Sequence, residues 1–369
     1  MERALARSRD RQPEPPTGRR MRLMIVDDSM VARAVLSRMI ESDPEFEIAA
    51  VAGTAEEAID MLDQCRVDAV ILDLEMPGDG GLKSIPRIIA AAGGAKVMVV
   101  SSQAEDGAEQ TVAALALGAA DTLPKPGTGR FNGRFSEILL AKLRALGHAP
   151  MPLSPLAADR NRAHDSRLRA MPADPISALA IGASTGGIHA LNCLFAKLPV
   201  EIGVPILITQ HLPAPFMPVF ARQLATVARR ETMVAEDGLR LKPDRIIIAP
   251  GDAHLAIEPD GRHVMVRLSN APASSGCRPS VEPMLASVGS VYGNSALGVM
   301  LTGMGRDGVE GAARMVACGG TMIAQDEASS AVWGMPRAVF DAGLASALLS
   351  PDKIARRIAA RTEEPAPCK

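Results

Sequence analysis

A serine lies between glycines in the segment IGASTGG, which covers residues 181–187. Gly182, Ser184 and Gly186 match the G-x-S-x-G spacing, in which small residues allow a tight strand-to-helix turn to expose the serine hydroxyl. The backbone N–H groups at the start of the following helix can stabilise negative charge on a reacting carbonyl oxygen. The segment therefore indicates a serine nucleophile, provided that a base and an acid lie nearby.

Two other interpretations of this glycine-rich turn compete with a nucleophile. A phosphate site would require G-x-G-x-x-G or a P-loop, but Ser184 occupies the second glycine position and no Lys-Ser or Lys-Thr pair follows. Close packing at a strand–helix turn also favours small residues, and the motif alone does not exclude it. The choice depends on which side chains accompany the serine.

The six histidines of the chain include one suitable general base. His211 ends LITQH, the next predicted parallel strand after that of Ser184, so the two strand ends should lie side by side. Asp307, in the glycine-rich loop of LTGMGRDG, is the preferred acid, and Asp252 in APGDAH is its main competitor. The resulting chain order Ser, His, Asp differs from the Ser, Asp, His order of α/β-hydrolases.

A second set of reactive side chains falls at strand ends in the N-terminal part of the chain. Asp27, Asp28, Asp73 and Lys125 each end or follow a predicted strand. In a parallel sheet these ends share one edge, where converging carboxylates suit Mg²⁺, which prefers oxygen ligands. A carboxylate beside Mg²⁺ can attack a phosphoryl group, and a lysine can offset the charge that results. Ordinary turn acids are the alternative for any one of these residues taken alone.

The pattern of apolar segments predicts an α/β chain with two domains. Residues 21–146 alternate strand and helix patterns, which predicts a doubly wound five-stranded parallel sheet with helices on both faces. Thr54 is expected to cap a helix. Residues 147–175, rich in Pro, Ala, Asp and Arg, predict a linker, and residues 1–20 predict a disordered extension. The predicted strands are RLMIVDD, FEIAAVA, DAVILDL, KVMVVSS and DTLPKP.

Residues 176–365 predict a second α/β domain with a mostly parallel sheet. Its strands are expected in ALAIGAS, VPILITQH, ALGVMLTG and TMIAQD. Turn signals such as EPDGRH between Met233 and Leu268 predict an inserted β-hairpin. Ser184 and His211 are therefore expected at the ends of parallel strands in this second domain.

The composition excludes several classes of function. With 369 residues, a net charge of −2 and 2% aromatic residues, the chain offers neither the basic surface nor the stacking platforms of nucleic-acid-binding proteins. Its five scattered cysteines form no C-x-x-C pair, which argues against a disulfide framework and suits a reducing cytoplasm. No apolar segment approaches the ~20 residues that a membrane-spanning helix needs.

The segments MIVDDSMVAR, DAVILDLEMPGDGG, VMVVSS and PKP resemble the response-regulator receiver domain. The match extends over almost all of the predicted first domain and implies phosphorylation in the presence of Mg²⁺. The resemblance implies roles for six residues: Asp73 as the phosphorylated residue and a metal ligand, Asp27 and Asp28 as further metal ligands, the Glu75 carbonyl as another, and Ser101 and Lys125 as the residues that respond to the phosphate.

The segments IGASTGG, LITQHLP, IAPGDAHL, RPSVEPML, LTGMGRDG, AQDEAS and WGMPRAV resemble, in this order, the catalytic domain of the CheB family of chemotaxis methylesterases. The order of receiver, linker and esterase is also that of the family. The resemblance implies Ser184 as nucleophile, His211 as general base and Asp307 as the acid that orients it. It further implies Thr185 and the Met304 backbone N–H in the oxyanion region.

Membership of this family would imply a phosphorylation-activated serine hydrolase. Its expected substrates are methyl-glutamate and glutamine side chains of methyl-accepting chemotaxis receptors, with methanol or ammonia released. The chemotaxis histidine kinase is the expected phosphodonor, and the unphosphorylated receiver is expected to cover Ser184. The esterase chemistry should need no cofactor. The protein is expected to be a cytoplasmic monomer, recruited to receptor arrays at the membrane without inserting into it.

Two other classes of function fit part of the sequence. A transcription-type response regulator needs a DNA-binding output, but the second domain is too long, too neutral and too rich in strands for a helix-turn-helix module. A non-enzymatic scaffold with a degenerate esterase fold is the other class. The presence of Ser184, His211 and Asp307 argues against such a scaffold.

Overall fold

A computed structural model of the chain describes residues 19–77, 80–101, 105–125, 133–147 and 167–362. Most of the predicted N-terminal extension and most of the predicted linker lie outside these ranges. The described residues form two α/β domains, each built around its own parallel sheet, which we call the N-terminal and the C-terminal domain.

The N-terminal domain has a five-stranded sheet in the order β2-β1-β3-β4-β5, and all of its strand pairs are parallel. This order confirms the predicted doubly wound arrangement. β2 is added on one side of β1, and β3, β4 and β5 are added in turn on the other side. The strands are β1 (Met21–Val26), β2 (Phe46–Ala52), β3 (Ala69–Asp73), β4 (Lys96–Ser101) and β5 (Asp121–Pro124).

The helices of the N-terminal domain connect successive strands. Thr54 caps the second helix as predicted, since its hydroxyl accepts a hydrogen bond from the Glu57 N–H at 3.2 Å. The helices are α1 (Met30–Glu41), α2 (Ala55–Leu62), α3 (Gly80–Ala91), α4 (Glu105–Ala116) and α5 (Gly133–Gly147).

The C-terminal domain has a seven-stranded sheet in the order β14-β13-β12-β6-β7-β9-β8, in which every pairing is parallel. A separate antiparallel pair, β10 and β11, confirms the predicted hairpin. The strands are β6 (Ala178–Ala183), β7 (Ile206–Gln210), β8 (Thr232–Val234), β9 (Ile246–Ile248), β10 (His254–Asp260), β11 (His263–Ser269), β12 (Ala296–Met300), β13 (Thr321–Gln325) and β14 (Ala345–Leu349).

Helices cover both faces of this second sheet, which explains its uninterrupted apolar strands. Every residue of β6 is buried: Leu179 and Ile181 pack into the hydrophobic cluster on one face, and Ala178 and Ala180 into the cluster on the other. The helices are α6 (Gly187–Phe195), α7 (Met217–Ala228), α8 (Val281–Tyr292), α9 (Val309–Ala317), α10 (Met335–Asp341) and α11 (Pro351–Ala359).

The order of the strands brings the predicted reactive residues together. β6 lies between β12 and β7, so the segments that follow these three strands emerge side by side. Ser184 follows β6, His211 follows β7, and Asp307 lies in the loop after β12. The sheet therefore places the serine in the middle, with the histidine and the aspartate on either side.

The two domains pack against each other through apolar side chains. Val112 and Leu115 of α4 belong to the same buried cluster as Ile188 of α6 and Phe216 before α7. The described end of the predicted linker is also anchored, since the Arg169 N–H donates to the carbonyl of Ala345 at 2.9 Å. Among the described helices, none has the length and apolar character required to cross a bilayer.

Helices α8 and α9 cross so closely that a side chain does not fit between their backbones. A Cβ atom on Gly311 would lie 2.4 Å from the Glu282 carbonyl oxygen, and one on Gly289 would lie 2.5 Å from the Met315 Cα. This contact fixes α8, whose first residues approach the loop of Asp307.

Gly311→Ala should lower the free energy of unfolding by about 1–3 kcal/mol, because the added methyl group forces the two helices apart. Urea unfolding followed by circular dichroism measures this loss. The matched control is Gly133→Ala at the start of α5, where no atom of the described residues lies within 4 Å of the added carbon. The control should change stability by less than about 0.5 kcal/mol. Equal effects of the two substitutions would contradict the helix contact.

Candidate active site

The strand-to-helix turn after β6 holds Ser184 in the expected exposed position. Gly186 has φ +77°, a left-handed conformation that favours glycine, and the Gly187 N–H donates to the Ser184 carbonyl at 2.8 Å. A Cβ on Gly187 would lie 2.2 Å from the Gln210 side-chain oxygen, and one on Gly303 would lie 2.7 Å from the Ser184 Cβ. Gly186 is therefore favoured by its backbone conformation, whereas Gly187 and Gly303 leave no room for a side chain.

Ser184, His211 and Asp307 form a continuous hydrogen-bonded chain. The Ser184 Oγ lies 3.1 Å from Nδ1 of His211, and Nε2 of His211 lies 2.7 Å from Oδ2 of Asp307. Because a carboxylate only accepts hydrogen bonds, we assign the imidazole proton to Nε2, which leaves Nδ1 free to accept the serine proton. The alternative acid, Asp252, is exposed. The structure therefore brings Asp307, and not Asp252, to the histidine.

Asp307 is held by a buried set of donors. The residue is only 3% exposed. Its carboxylate accepts hydrogen bonds from the Ser280 hydroxyl at 2.6 Å and the Val281 N–H at 2.7 Å. Burial acts to raise the pKa of Asp307, but the hydrogen bonds from His211, Ser280 and Val281 outweigh it and hold the pKa below its ordinary value. The carboxylate therefore stays ionised and fixed beside His211.

Ser280 is in turn oriented by a buried histidine. The Ser280 N–H donates to Nδ1 of His254 at 2.9 Å, and Nε2 of His254 lies 2.9 Å from the Ala271 carbonyl oxygen. Ser280 was not among the predicted site residues. The available signal was a helix start, because a serine before the apolar pattern VEPMLASV is a typical N-cap, and Ser280 does cap α8.

Two glutamines at strand ends fix the surrounding loops and were also missed. Gln210 donates from Nε2 to the Ser184 carbonyl at 2.9 Å, and Oε1 of Gln325 accepts from the Thr302 N–H at 2.8 Å. Thr302 joins the turn as well, since its carbonyl accepts from the Ser184 N–H at 3.0 Å. Both glutamines are buried, and buried amides of this kind act as cross-links between strand ends.

The two residues expected in the oxyanion region have different surroundings. The Thr185 hydroxyl is buried and donates to Oδ2 of Asp121 at 2.6 Å, so it points toward the N-terminal domain. Met304 is 41% exposed and follows Gly303, whose backbone abuts Ser184. Both residues therefore lie near Ser184, but the Thr185 hydroxyl is hydrogen-bonded to Asp121 of the N-terminal domain.

The start of β5 contacts the turn of Ser184 directly. The Gly186 N–H donates to the Ala120 carbonyl at 2.6 Å, and Asp121 also accepts from Nζ of Lys142 at 2.7 Å. A cavity of about 250 Å³ remains beside Ser184, lined by residues of both domains. The N-terminal domain therefore covers the candidate active site and takes up a backbone donor of the turn.

The predicted acidic site forms at the carboxyl end of the first sheet. Oxygens of Asp27, Asp28 and Asp73 lie within 4.8 Å of one another. Nζ of Lys125 lies 2.6 Å from Oδ2 of Asp73 and 3.2 Å from Oδ2 of Asp27. Burial raises the pKa of Asp73 despite the lysine, whereas the two aspartates raise the pKa of Lys125 against the effect of its burial.

The donor set at this acidic site fits Mg²⁺. All three side chains offer carboxylate oxygens, and the buried Oδ2 of Asp27 accepts no hydrogen bond from the described residues although Lys125 is nearby. The Glu75 N–H donates to Oδ1 of Asp73 at 3.1 Å, which places the Glu75 backbone beside the carboxylate of Asp73. The side chain of Ser101, at the end of β4, lies outside the described part of the chain.

Comparisons with known proteins match both domains. The family model for the response regulator receiver domain matches residues 23–130, and the family model for CheB methylesterase matches residues 179–358. The chain is 34% identical to the CheB methylesterase catalytic domain of Thermotoga maritima, with a TM-score of 0.49 over 50% of this chain and 97% of that one. It is also 34% identical to the response regulator domain of Thermotoga maritima CheB, with a TM-score of 0.31 over 34% of this chain and 95% of that one.

Full-length relatives show the same similarity across the whole chain. A protein of Paramagnetospirillum magneticum named protein-glutamate methylesterase/protein-glutamine glutaminase 1 is 38% identical, with 93% of this chain and 96% of that protein covered. The protein of Caulobacter vibrioides named protein-glutamate methylesterase/protein-glutamine glutaminase 2 is 41% identical, with 92% of this chain and 99% of that protein covered. On this similarity the chain belongs to the CheB family of protein-glutamate methylesterases/protein-glutamine glutaminases, in which a receiver domain precedes the methylesterase domain.

Proposed function

We propose that this chain is a phosphorylation-activated serine hydrolase that demethylates methyl-glutamate and deamidates glutamine side chains of chemotaxis receptors. The observation that carries the proposal is the hydrogen-bonded chain from Ser184 through His211 to Asp307. Its domains are a receiver over residues 21–146, a linker over 147–175 and a catalytic domain over 176–365.

The hydrolysis follows from the positions of these three side chains. Ser184 Oγ attacks the ester carbonyl carbon while its proton passes to Nδ1 of His211. The imidazolium then gives this proton to the departing methoxide oxygen, which leaves as methanol. Water attacks the glutamyl–serine ester, His211 takes a proton from it, and Ser184 regains a proton as the free glutamate leaves. In deamidation of glutamine, ammonia leaves in place of methanol.

Backbone donors at the start of α6 supply the stabilisation of the oxyanion. In this turn the N–H groups of Ser184, Gly186 and Gly187 donate to protein carbonyls. The positive end of the helix dipole would add to the effect of any donor that reaches the substrate oxygen. Thr185 and the Met304 N–H are the candidates beside Ser184. The Gly186 N–H, however, donates to Ala120 while the two domains are packed together. The covered arrangement therefore blocks both access and part of the donor set.

The size of the remaining cavity supports inhibition by the receiver. A receptor glutamate is presented on a helix, and an α-helix with side chains measures about 10–12 Å across. The cavity beside Ser184 is about 250 Å³ and is lined by both domains, which is too little room for such a helix. The receiver must therefore move before the receptor can bind, and phosphorylation would shift the population toward this open arrangement.

Strand β5 connects the phosphorylation site with the covered turn. Lys125 follows β5 and pairs with Asp73, whereas Asp121 begins β5 and accepts from Thr185. Only three residues separate Asp121 from Lys125, so a change in the Lys125–Asp73 pair would be transmitted along one short strand. Phosphorylation of Asp73, with the chemotaxis histidine kinase as donor, is proposed to loosen the hold of β5 on Thr185 and Gly186.

Asp27, Asp28, Asp73 and the Glu75 carbonyl would hold the metal in the receiver. Mg²⁺, when bound, offsets the negative charge that the carboxylates and the incoming phosphoryl group bring together. Lys125 would contact the phosphoryl oxygens, and Ser101 would respond to them. The protein is proposed to act as a cytoplasmic monomer that receptor arrays recruit to the membrane.

Ser184→Ala should reduce hydrolysis of methylated receptor by about 10⁴-fold, because no other group replaces the nucleophile. Methanol release measures the rate, and circular dichroism checks the fold. Ser290→Ala, at an exposed serine on α8, is the matched control and should retain the activity. Persistent methanol release from the Ser184 variant would remove the nucleophile from the proposal.

Ser280→Ala should lower kcat about 10-fold with little change in KM, because the buried carboxylate of Asp307 loses the hydrogen bond that Ser280 donates to it. Ser280→Thr keeps the hydroxyl and should restore most of the rate. The measurement is steady-state methanol release at several receptor concentrations. A purely structural role for Ser280 predicts instead that kcat per folded molecule stays constant in the alanine variant.

Acetyl phosphate with Mg²⁺ should increase the methylesterase rate of the native chain, because phosphorylation of Asp73 opens the covered site. Asp73→Asn should abolish this increase while keeping the low basal rate. Methanol release with and without the phosphodonor measures both rates. An equally strong response in the asparagine variant would contradict control through Asp73.

A further inference from the structure

A cysteine that the proposed mechanism does not use lies beside the catalytic residues. Sγ of Cys277, one imidazole nitrogen of His211 and a carboxylate oxygen of Asp307 lie within 4.8 Å of one another. Cys277 is half-buried, and its N–H donates to the Ser275 hydroxyl at 3.3 Å. Sulfur, nitrogen and oxygen donors therefore lie within 4.8 Å of one another beside Ser184.

The surroundings of these donors favour a cation. The carboxylate of Asp307 is only 3% exposed and lies beside the half-buried thiol of Cys277. The neighbouring guanidinium of Arg278 donates to the Asn270 carbonyl at 3.0 Å and is thus engaged there. A bound metal cation would offset the charge of Asp307 and stabilise the thiolate of Cys277.

We propose that Cys277, His211 and Asp307 form an inhibitory site for a thiophilic divalent cation of the Zn²⁺ type. The inhibition concerns the hydrolase activity proposed above and rests on it, whereas binding of the metal does not. Mixed thiolate, imidazole and carboxylate donors suit Zn²⁺, whereas Mg²⁺ prefers sites with oxygen donors alone. The proposed site is thus chemically distinct from the acidic site of the receiver.

The geometry requires only small side-chain movements. Zinc binds sulfur at about 2.3 Å and nitrogen or oxygen at about 2.0–2.2 Å, so the ligand atoms of a tetrahedral site lie roughly 3.3–3.7 Å apart. The His211–Asp307 pair, at 2.7 Å, must widen by ~1 Å or less, and Cys277, within 4.8 Å of both ligand atoms, must approach by at most roughly 1.5 Å. Three protein ligands leave a fourth position for water.

Metal binding at Nε2 would remove the general base by a change of tautomer. In the free enzyme His211 carries its proton on Nε2 and accepts the Ser184 proton at Nδ1. When the metal takes the Nε2 lone pair, the ring proton moves to Nδ1, and the thiol proton of Cys277 is released to solvent. His211 then donates toward Ser184 and cannot accept its proton, so the serine is no longer activated.

The first test measures inhibition by Zn²⁺ itself in the full chain. Reaction of Ser184 with a fluorophosphonate serves as the readout, and excess Zn²⁺ should stop it and EDTA restore it. Cys277→Ser should retain the rate without metal but need more than about 10-fold more Zn²⁺ for the same inhibition. Even residues that only hydrogen-bond a metal ligand contribute roughly 10–100-fold to metal affinity, and a direct ligand should contribute at least as much. Cys318→Ser, at an exposed cysteine, is the matched control and should keep the native sensitivity.

A second measurement reads metal binding independently of activity. Co²⁺ bound by a thiolate gives a sulfur-to-metal charge-transfer absorption, which carboxylate sites such as that of the receiver cannot give. The native chain and Cys318→Ser should show this band, and Cys277→Ser should lose it. Equal inhibition of the Cys277 and Cys318 variants by Zn²⁺, or a band that survives Cys277→Ser, would overturn the proposal. A chain that shows the band but no hydrolysis would contradict the proposed function while leaving the metal site standing.

Discussion

Two hydrogen bonds between the turn of Ser184 and the start of β5 connect the halves of this protein. The Gly186 N–H donates to Ala120, and the Thr185 hydroxyl donates to Asp121, both at 2.6 Å. The turn that carries Ser184 is therefore also a surface against which the receiver domain packs. In the proposed function the same contact limits the hydrolysis, because the N-terminal domain lies over Ser184 and takes up the Gly186 N–H.

The catalytic residues themselves are held by the sheet and by buried polar contacts. Adjacent parallel strands place Ser184 between His211 and Asp307, and the hydrogen bonds from Ser280 fix the aspartate. His254 supports Ser280 from behind. Such a rigid arrangement is suited to control by covering and uncovering, because removing the receiver need not rebuild the catalytic residues.

Local patterns in the sequence carried most of the fold and the chemically active residues. Apolar segments of strand length predicted both parallel sheets, and the glycine spacing around Ser184 with the strand end at His211 predicted which side chains the sheet would bring together. Ser280 and Asp121 were missed for a physical reason. Each acts through a contact between distant parts of the chain, Ser280 with Asp307 and Asp121 with Thr185. The helix-start signal marks Ser280 as a cap, but no local pattern indicates which distant residue it contacts.

The most direct measurement is the rate at which Ser184 of the unphosphorylated chain reacts with a fluorophosphonate, compared between the native protein and Asp121→Ala. Loss of a hydrogen bond to a charged acceptor is worth about 1.5 kcal/mol or more, so the account predicts a rate increase of about 10-fold. Arg222→Ala, which removes an exposed ion pair with Glu109 elsewhere between the domains, should leave the rate nearly unchanged. An unchanged rate in Asp121→Ala, or an equal increase in Arg222→Ala, would contradict the account.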